Sequence, residues 1–174
     1  MHKRAIIFDR DGTLIKTFIT KKNEPAAIKK LKDFKLLSNV KSVIKILSKK
    51  FLIIVFTNQP DVSRGKNTKA NVKEINLKLA EVLKINKIYT CYSDNNQNYM
   101  RKPNPGMIYA AKKKFNLNLK ESFVVGDRNK DILAGKKANC ITILIKKKYN
   151  KKNSSNPDYI VSDFKELLKI INFY

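Results

Sequence analysis

Three aspartates in two segments of the chain could be ligands of one shared metal ion. Asp9 and Asp11 are two residues apart in FDRDGTLI, and Asp127 lies in GDRNKD, far along the chain. If the fold brings these carboxylates together, they repel one another unless a cation neutralises them. Mg²⁺ takes oxygen ligands, typically one or two carboxylates together with a substrate phosphate. The three residues therefore predict a magnesium site at which a carboxylate can attack phosphorus.

Donors suited to a phosphoryl group occur in two further segments. Thr57, followed by Asn58 and Gln59, comes directly after the longest apolar run, and Lys102 lies in RKPNPGM. A hydroxyl and nearby backbone N–H groups bind phosphate oxygens, and a lysine supplies a point charge. Together with the aspartates, these residues predict metal-assisted phosphoryl transfer. Each segment alone has a plainer interpretation, because Asp and Thr-Asn often cap helices or form turns.

Short apolar runs alternate with segments of helical periodicity along the chain. This alternation favours a mostly parallel sheet with helices on both faces, so we predict an α/β fold, a Rossmann-like three-layer α/β/α sandwich. The predicted strands are Ala5–Phe8, Leu52–Phe56, Lys87–Cys91, Phe123–Val125, Ile141–Ile145 and Tyr159–Val161. Ligands bind such sheets at the carboxyl ends of the strands, where most of the polar segments lie. We therefore expect these segments to converge on one site.

The chain is predicted to form a single domain over 1–174, since no Gly-, Ser- or Pro-rich linker divides it. Residues 16–36 are longer than most strand–helix connections. They are expected to form either a flap or hairpin beside the first strand or an ordinary surface loop. The segment KKKYNKKNSSN at 146–156 is expected to be an exposed, lysine-rich loop.

The formal charge is +24, from 38 Lys and Arg against 14 Asp and Glu. Most of it is lysine spread along the chain, which favours a solvated surface produced by AT-rich codon bias over a polyanion-binding surface. No apolar run is long enough to cross a membrane, and no signal-peptide cleavage site follows the N-terminus. We therefore expect a cytoplasmic protein without membrane contact, and we favour a monomer.

In their order, the four polar segments resemble the motifs of the haloacid dehalogenase superfamily of phosphohydrolases. They are FDRDGTLI at 8–15, FTN at 56–58, Lys102 in RKPNPGM, and GDRNKD at 126–131. DRDGT, TNQPDVSRGK and RKPNPGM are similar to the histidinol-phosphatase and D,D-heptose 1,7-bisphosphate phosphatase branch. No long insertion follows the first motif or separates the second from the third, which implies that there is no large cap domain.

The resemblance implies a role for each matching residue. Asp9 would be the nucleophile that forms an aspartyl-phosphate, and Asp11 would be the general acid and then the general base. Asp9, Asp127 and the backbone carbonyl of Asp11 would hold Mg²⁺, while Lys102 would offset the phosphoryl charge. The residues implied to bind substrate are Thr57, Asn58, Gln59, Arg64, Arg101 and Arg128.

Two other motif residues have less defined roles. Asp131 could anchor Lys102, hold a metal-bound water or support the structure. Alternation along the first strand would point Arg10 away from Asp9 and Asp11, so no chemical role is expected for it. Its value is diagnostic, because arginine here favours the metabolite branch over phosphatases that act on nucleic acid.

The segment before Lys102 departs from the branch, which commonly has a zinc loop with a Cys-x-His pair and a later Cys-x-Cys. Cys91 is retained, but Ser93, Asn98 and Met100 stand at the other ligand positions. One potential ligand cannot make a structural zinc site, so zinc is not expected. Because that loop helps to shape the substrate entrance, the substrate of the branch does not transfer automatically to this chain.

The leading hypothesis is a Mg²⁺-dependent phosphatase acting on a small phosphorylated metabolite, such as D-glycero-D-manno-heptose 1,7-bisphosphate or, alternatively, histidinol phosphate. A polynucleotide 3′-phosphatase is the main alternative, and the positive charge favours it. Arg10 and the lack of an aromatic-rich basic stripe disfavour that alternative. A non-catalytic binding protein is disfavoured because all the expected catalytic residues are present.

Overall fold

Strands from distant parts of the chain assemble into one parallel sheet in the computed structural model, which describes residues 2–20, 24–150 and 154–174. The strands are β1 (Ala5–Phe8), β2 (Phe18–Ile19), β3 (Pro25–Ala26), β4 (Leu52–Asn58), β5 (Lys87–Cys91), β6 (Phe123–Gly126), β7 (Ile141–Ile145) and β8 (Tyr159–Val161). The sheet has the order β5-β4-β1-β6-β7-β8, whereas β2 and β3 form a separate two-stranded pair. All six strands predicted from the sequence are therefore present in the sheet.

β1 occupies the centre of the sheet, and its four residues are all buried. Ile6 pairs with Ile53 on one side and with Phe123 on the other. Apolar side chains on both faces of a strand are typical of a parallel sheet covered on both sides by helices. Full burial of each of the larger side chains, Ile6, Ile7 and Phe8, stabilises the fold by about 1.5–3 kcal/mol. This packing fixes the position of Asp9, which directly follows β1.

Helices cover both faces of the sheet, which confirms the predicted three-layer α/β/α architecture. They are α1 (Val40–Leu47), α2 (Lys69–Val82), α3 (Gly106–Phe115), α4 (Asn129–Lys137) and α5 (Phe164–Asn172). One face of the sheet packs against apolar residues of α1, α2 and α5, and the other against those of α3 and α4. Among the described residues, no helix is both long enough and apolar enough to cross a membrane.

The segment 16–36 contains the antiparallel pair of β2 and β3, in which Phe18 faces Ala26 and Ile19 faces Pro25. Residues 21–23 lie outside the described residues. The described part thus forms a short hairpin, one of the two arrangements that the sequence allowed. Its backbone is held at the mouth of the site, because Arg128 Nη2 donates to the Pro25 carbonyl at 2.5 Å.

The lysine-rich segment 146–156 is not uniformly exposed, contrary to expectation. Tyr149 and Asn150 are half-buried, and Asn150 Nδ2 donates to the carbonyls of Asp127 and Ile145, each at 2.8 Å. Composition favours a solvated loop, but these polar groups are satisfied against the loop that follows β6. Residues 151–153 lie outside the described residues.

Candidate active site

The polar segments converge at the carboxyl ends of β1, β4 and β6, where they line a cavity of about 500 Å³. The predicted site residues in its lining are Asp9, Asp11, Thr57, Asn58, Gln59, Arg64, Arg101, Lys102 and Arg128. Asp127 lies behind this lining and is fully buried, with a carboxylate oxygen within 4.8 Å of one from Asp9. The structure thus places every predicted site residue in or directly behind one cavity.

Lys102 forms the buried electrostatic centre of the site. Its Nζ lies 2.7 Å from Asp9 Oδ1 and 2.7 Å from Asp131 Oδ1, and it donates to the Phe56 carbonyl at 3.1 Å. Asn58 fixes the Lys102 backbone through two hydrogen bonds. Asn58 Nδ2 donates to the Lys102 carbonyl at 3.0 Å, and Asn58 Oδ1 accepts the Lys102 N–H at 3.1 Å. Asn58, expected to bind substrate, therefore uses its side-chain oxygen and one N–H to position Lys102.

Asp131, whose role the sequence left open, is an ion-pair partner of Lys102. Its second oxygen, Oδ2, accepts the Arg128 N–H at 3.0 Å at the start of α4. Gly126 allows this close approach, since a Cβ there would lie 2.3 Å from the Asp131 Cβ. Of the alternatives raised for Asp131, the contacts support an anchor for Lys102.

Asp9, Asp127 and Asp131 form a buried carboxylate cluster, with one oxygen from each lying within 4.8 Å of the others. Asp127 is held from both sides, by Thr13 Oγ1 at 3.0 Å and by the Tyr149 hydroxyl at 2.6 Å. Oxygen-only donors at this spacing suit a hard divalent cation such as Mg²⁺. Two members of this cluster, Asp9 and Asp127, are among the ligands expected from the sequence, and that expectation adds the Asp11 backbone carbonyl.

The pKa values of Asp9 and Asp127 are raised, because ionising carboxylates that are buried close together costs free energy. Burial, with the charge of Asp131 next in size, raises the pKa of Asp9 to about 8, although Lys102 opposes the shift. Burial and Asp131 also raise the pKa of Asp127. Burial lowers the pKa of Lys102, but the charges of Asp131 and Asp9 outweigh it and the net shift is upward. A bound divalent cation would favour the ionised carboxylates and relieve this cost.

The raised pKa of Asp9 predicts a pH-dependent stability in the presence of a chelator. The folded state binds a proton more tightly than the unfolded state, so stability is lost as pH rises from about 5 to about 8. The loss is expected to be a few kcal/mol, since one unit of pKa is worth about 1.36 kcal/mol. Thermal melts in EDTA measure it, and excess Mg²⁺ should flatten the trend. Asp9→Asn should flatten it too, whereas Asp33→Asn, outside the cavity lining, should not; an equal slope in all three proteins contradicts the prediction.

Arg10 lies within the site, and the expectation that it points away from the aspartates is wrong. Its side chain is fully buried, and its Nε donates to Asp11 Oδ2 at 2.9 Å. β1 ends at Phe8 and the chain turns at Gly12, where φ is +87°, so strand alternation does not extend through these residues. Gln59 Nε2 also donates to Asp11 Oδ2, at 2.8 Å, and to Thr57 Oγ1 at 2.8 Å.

Besides Lys102, six cationic side chains line the cavity. Four of them are here called the cationic rim: Arg64, Arg101, Arg128 and Lys130. Burial, followed by the charges of Arg101, Arg128 and Arg64, lowers the pKa of Lys130. The like charges therefore lie close enough to disfavour one another, an arrangement that a bound anion relieves. Arg101 is itself fixed by the Ser93 carbonyl, which accepts from its Nη1 at 2.8 Å.

Lys130 and Tyr149 are site residues that the sequence reasoning missed. Lys130 lies inside the motif GDRNKD, two residues after Arg128, and this position could have indicated a site residue. Tyr149 stands in a lysine-rich segment without periodicity, and no sequence pattern there indicates its contact with Asp127.

The segment that replaces the zinc loop is held by hydrogen bonds. Asn98 Oδ1 accepts the Met100 N–H at 2.9 Å and lies 4.0 Å from Cys91 Sγ, while Ser93 Oγ accepts the Asn95 N–H at 3.1 Å. Three of the four positions that would supply zinc ligands thus serve the loop's own folding. The absence of zinc stays a prediction.

A family model described as polynucleotide kinase 3 phosphatase matches residues 4–170, nearly the whole chain. The chain belongs to this family, within the haloacid dehalogenase superfamily of phosphatases. The match confirms the resemblance drawn from the four motifs. It spans β1 through most of α5, so it covers every segment that contributes to the cavity.

Curated relatives place the chain nearer to one branch of the superfamily. It is 29% identical over 180 residues to D-glycero-alpha-D-manno-heptose-1,7-bisphosphate 7-phosphatase of Campylobacter jejuni, covering 100% of this chain and 97% of the relative. It is 30% identical over 177 residues to D-glycero-beta-D-manno-heptose-1,7-bisphosphate 7-phosphatase of Helicobacter pylori, covering 97% of each. The relatives thus include enzymes named for both anomers.

The fold is also that of a solved phosphatase. The crystal structure of D,D-heptose 1,7-bisphosphate phosphatase from B. bronchiseptica, complexed with magnesium and phosphate, matches with a TM-score of 0.84 over 98% of both chains. The sequences are 21% identical, so this likeness establishes the shared fold.

Proposed function

We propose that this superfamily member is a Mg²⁺-dependent phosphomonoester hydrolase that works through an aspartyl-phosphate on Asp9. The observation that supports this most strongly is the buried ion pair of 2.7 Å between Asp9 Oδ1 and Lys102 Nζ, inside the carboxylate cluster. Bound Mg²⁺ supplies charge neutralisation and orients the phosphoryl group. Lys102 offsets the negative charge that develops on the transferred phosphoryl oxygens.

The chemistry assigned to the protein side chains proceeds in two steps. An Asp9 carboxylate oxygen forms a bond to phosphorus as the bond to the ester oxygen breaks, and Asp11 gives that oxygen its proton. Water then attacks phosphorus while Asp11 takes a proton from it, which releases phosphate and restores Asp9. Thr57, positioned by Gln59, would bind the phosphoryl group in both steps.

We propose a bisphosphorylated sugar, heptose 1,7-bisphosphate, as the substrate. The relatives named for this substrate cover nearly the whole chain. In addition, the cationic rim provides positive charge beyond what one phosphoryl group at Asp9 requires. A cytoplasmic, single-domain enzyme is part of the same proposal.

A polynucleotide 3′-phosphatase is the second candidate, favoured by the activity for which the matching family is named and by the net charge of +24. Nucleic-acid binding of this kind depends strongly on salt, because basic side chains displace the counterions of the phosphate backbone. The two candidates therefore differ in both substrate and salt dependence.

A substrate panel tests the proposal. With Mg²⁺, we expect turnover of heptose 1,7-bisphosphate to exceed that of histidinol phosphate and of a 3′-phosphorylated oligonucleotide by at least about 10-fold in kcat/KM, or about 1.4 kcal/mol. EDTA should stop turnover, and added Mg²⁺ should restore it. Preference for the oligonucleotide would establish the second candidate instead. Turnover unaffected by chelation would overturn the metal dependence.

A further inference from the structure

A chain of polar side chains leads from the outer strand β5 to Asp11. Thr90 Oγ1 accepts from Asn76 Nδ2 at 3.1 Å, and Asn76 Oδ1 accepts from Arg10 Nη1 at 2.7 Å. Arg10 Nε donates in turn to Asp11 Oδ2 at 2.9 Å. We call these four residues the Asp11 support chain.

The support chain fixes the orientation of every group in it. The Asn76 amide nitrogen is engaged by Thr90, so its oxygen faces the Arg10 guanidinium. Arg10 is fully buried, and two of its three nitrogens donate to Asn76 and Asp11. A buried guanidinium with two such partners holds one geometry, because its donors form a rigid planar fork.

This arrangement distinguishes the two oxygens of Asp11. Oδ2 accepts from Arg10 Nε and from Gln59 Nε2. Oδ1 is buried and has no partner among the described residues. Because both groups on Oδ2 can only donate, the oxygen free to carry a proton is Oδ1.

We propose that Asn76 and Arg10 are positioning residues: by holding Asp11 Oδ2, they leave Oδ1 as the oxygen that gives its proton to the leaving group of the substrate. This inference rests on the proposed role of Asp11 as the proton donor. Asn76 stands on α2, outside the four motif segments, and neither residue touches the reacting atoms in this assignment. Their effect on the reaction is therefore indirect, through the placement of one carboxylate oxygen.

If the support chain positions Asp11, removing one of its hydrogen bonds should lower activity toward some substrates more than toward others. Protonation of the leaving oxygen matters for an alkyl phosphate, whose alkoxide leaves poorly, and matters little for 4-nitrophenyl phosphate, whose phenolate leaves readily. The ratio kcat/KM reports on steps up to release of the leaving group, so later hydrolysis of the aspartyl-phosphate does not obscure the comparison. Loss of Asn76 should therefore separate the two classes of substrate.

The experiment measures kcat/KM for the preferred alkyl phosphate and for 4-nitrophenyl phosphate in four proteins. Asn76→Ala should lower the alkyl value about 10- to 100-fold and the aryl value by less than about 3-fold. Asn76→Asp keeps an acceptor oxygen for Arg10, and Thr90 can donate its hydroxyl to the other oxygen, so near-normal values are expected. Asn71 lies on the same helix as Asn76, and Asn71→Ala, which removes a hydrogen bond to Asn67 in the preceding loop, should behave as the unmodified protein.

The outcomes separate the inference from the function on which it rests. If the unmodified protein hydrolyses neither substrate, the proposed function fails. If it is active and Asn76→Ala lowers both values equally, the contact is merely structural and the inference is overturned. Equal values for Asn76→Ala and Asn71→Ala would also overturn it, as would a failure of Asn76→Asp to recover the alkyl activity of a protein that melts normally.

Discussion

Replacing Asp9 by Asn is expected to abolish turnover while the protein stays folded. Asn has the shape of Asp but is a far weaker nucleophile, so kcat should fall by at least about 10⁴-fold, the scale seen when a covalent catalyst is removed. Folding should not suffer, because the Asp9 carboxylate is strained by burial and by Asp131, as its raised pKa of about 8 records. Lys102 would keep its ion pair with Asp131.

Acid-quenched reactions with radiolabelled phosphate ester distinguish this mechanism from direct attack by water. The unmodified protein should retain label on the chain during turnover, and Asp9→Asn should retain none. Asp33→Asn makes the same chemical change outside the cavity and should retain both label and activity. Turnover by Asp9→Asn at more than about 1% of the normal kcat would rule out Asp9 as the nucleophile, because about 10⁴-fold is expected.

The parts of the site that could be predicted from the sequence are those fixed by strand ends. Asp9, Thr57 and Asp127 each follow an apolar run, and a parallel sheet brings the carboxyl ends of its strands to one edge. The alternation of strands and helices similarly determined the layers. Both predictions follow from local patterns that the parallel sheet converts into spatial proximity.

Contacts across elements could not be predicted in this way. Asn76, on α2, meets Arg10 across 66 residues of the chain. Helical periodicity identifies the buried face of α2, but it does not show which polar residue at the edge of that face meets a partner. Strand alternation misplaces the Arg10 side chain, because β1 ends at Phe8 and the chain then turns.

Replacing Lys102 by Met is expected both to abolish activity and to destabilise the fold. Met has a similar length and can pack on the Phe56 ring, whose centroid lies 4.1 Å from Lys102 Nζ. The substitution removes the positive charge of Lys102, whose Nζ lies 2.7 Å from a carboxylate oxygen of each of two buried residues, Asp9 and Asp131. Leaving a buried charge without its partner costs about 3–5 kcal/mol.

The size of that loss should depend on pH and on metal, which identifies its electrostatic origin. In EDTA and without Lys102, the repulsion between the carboxylates is reduced mainly by their protonation. The difference in free energy of unfolding between the variant and the unmodified protein should therefore widen from about pH 5 to about pH 8. Mg²⁺ should narrow the gap, because it replaces positive charge between the carboxylates. It should not restore turnover, since the phosphoryl group still lacks its lysine.

Lys113→Met, on the exposed face of α3, is the matched control and should melt as the unmodified protein does. A loss that is the same at every pH and with or without Mg²⁺ would mean that Lys102 stabilises the fold by packing alone, and the electrostatic account of the site would be wrong.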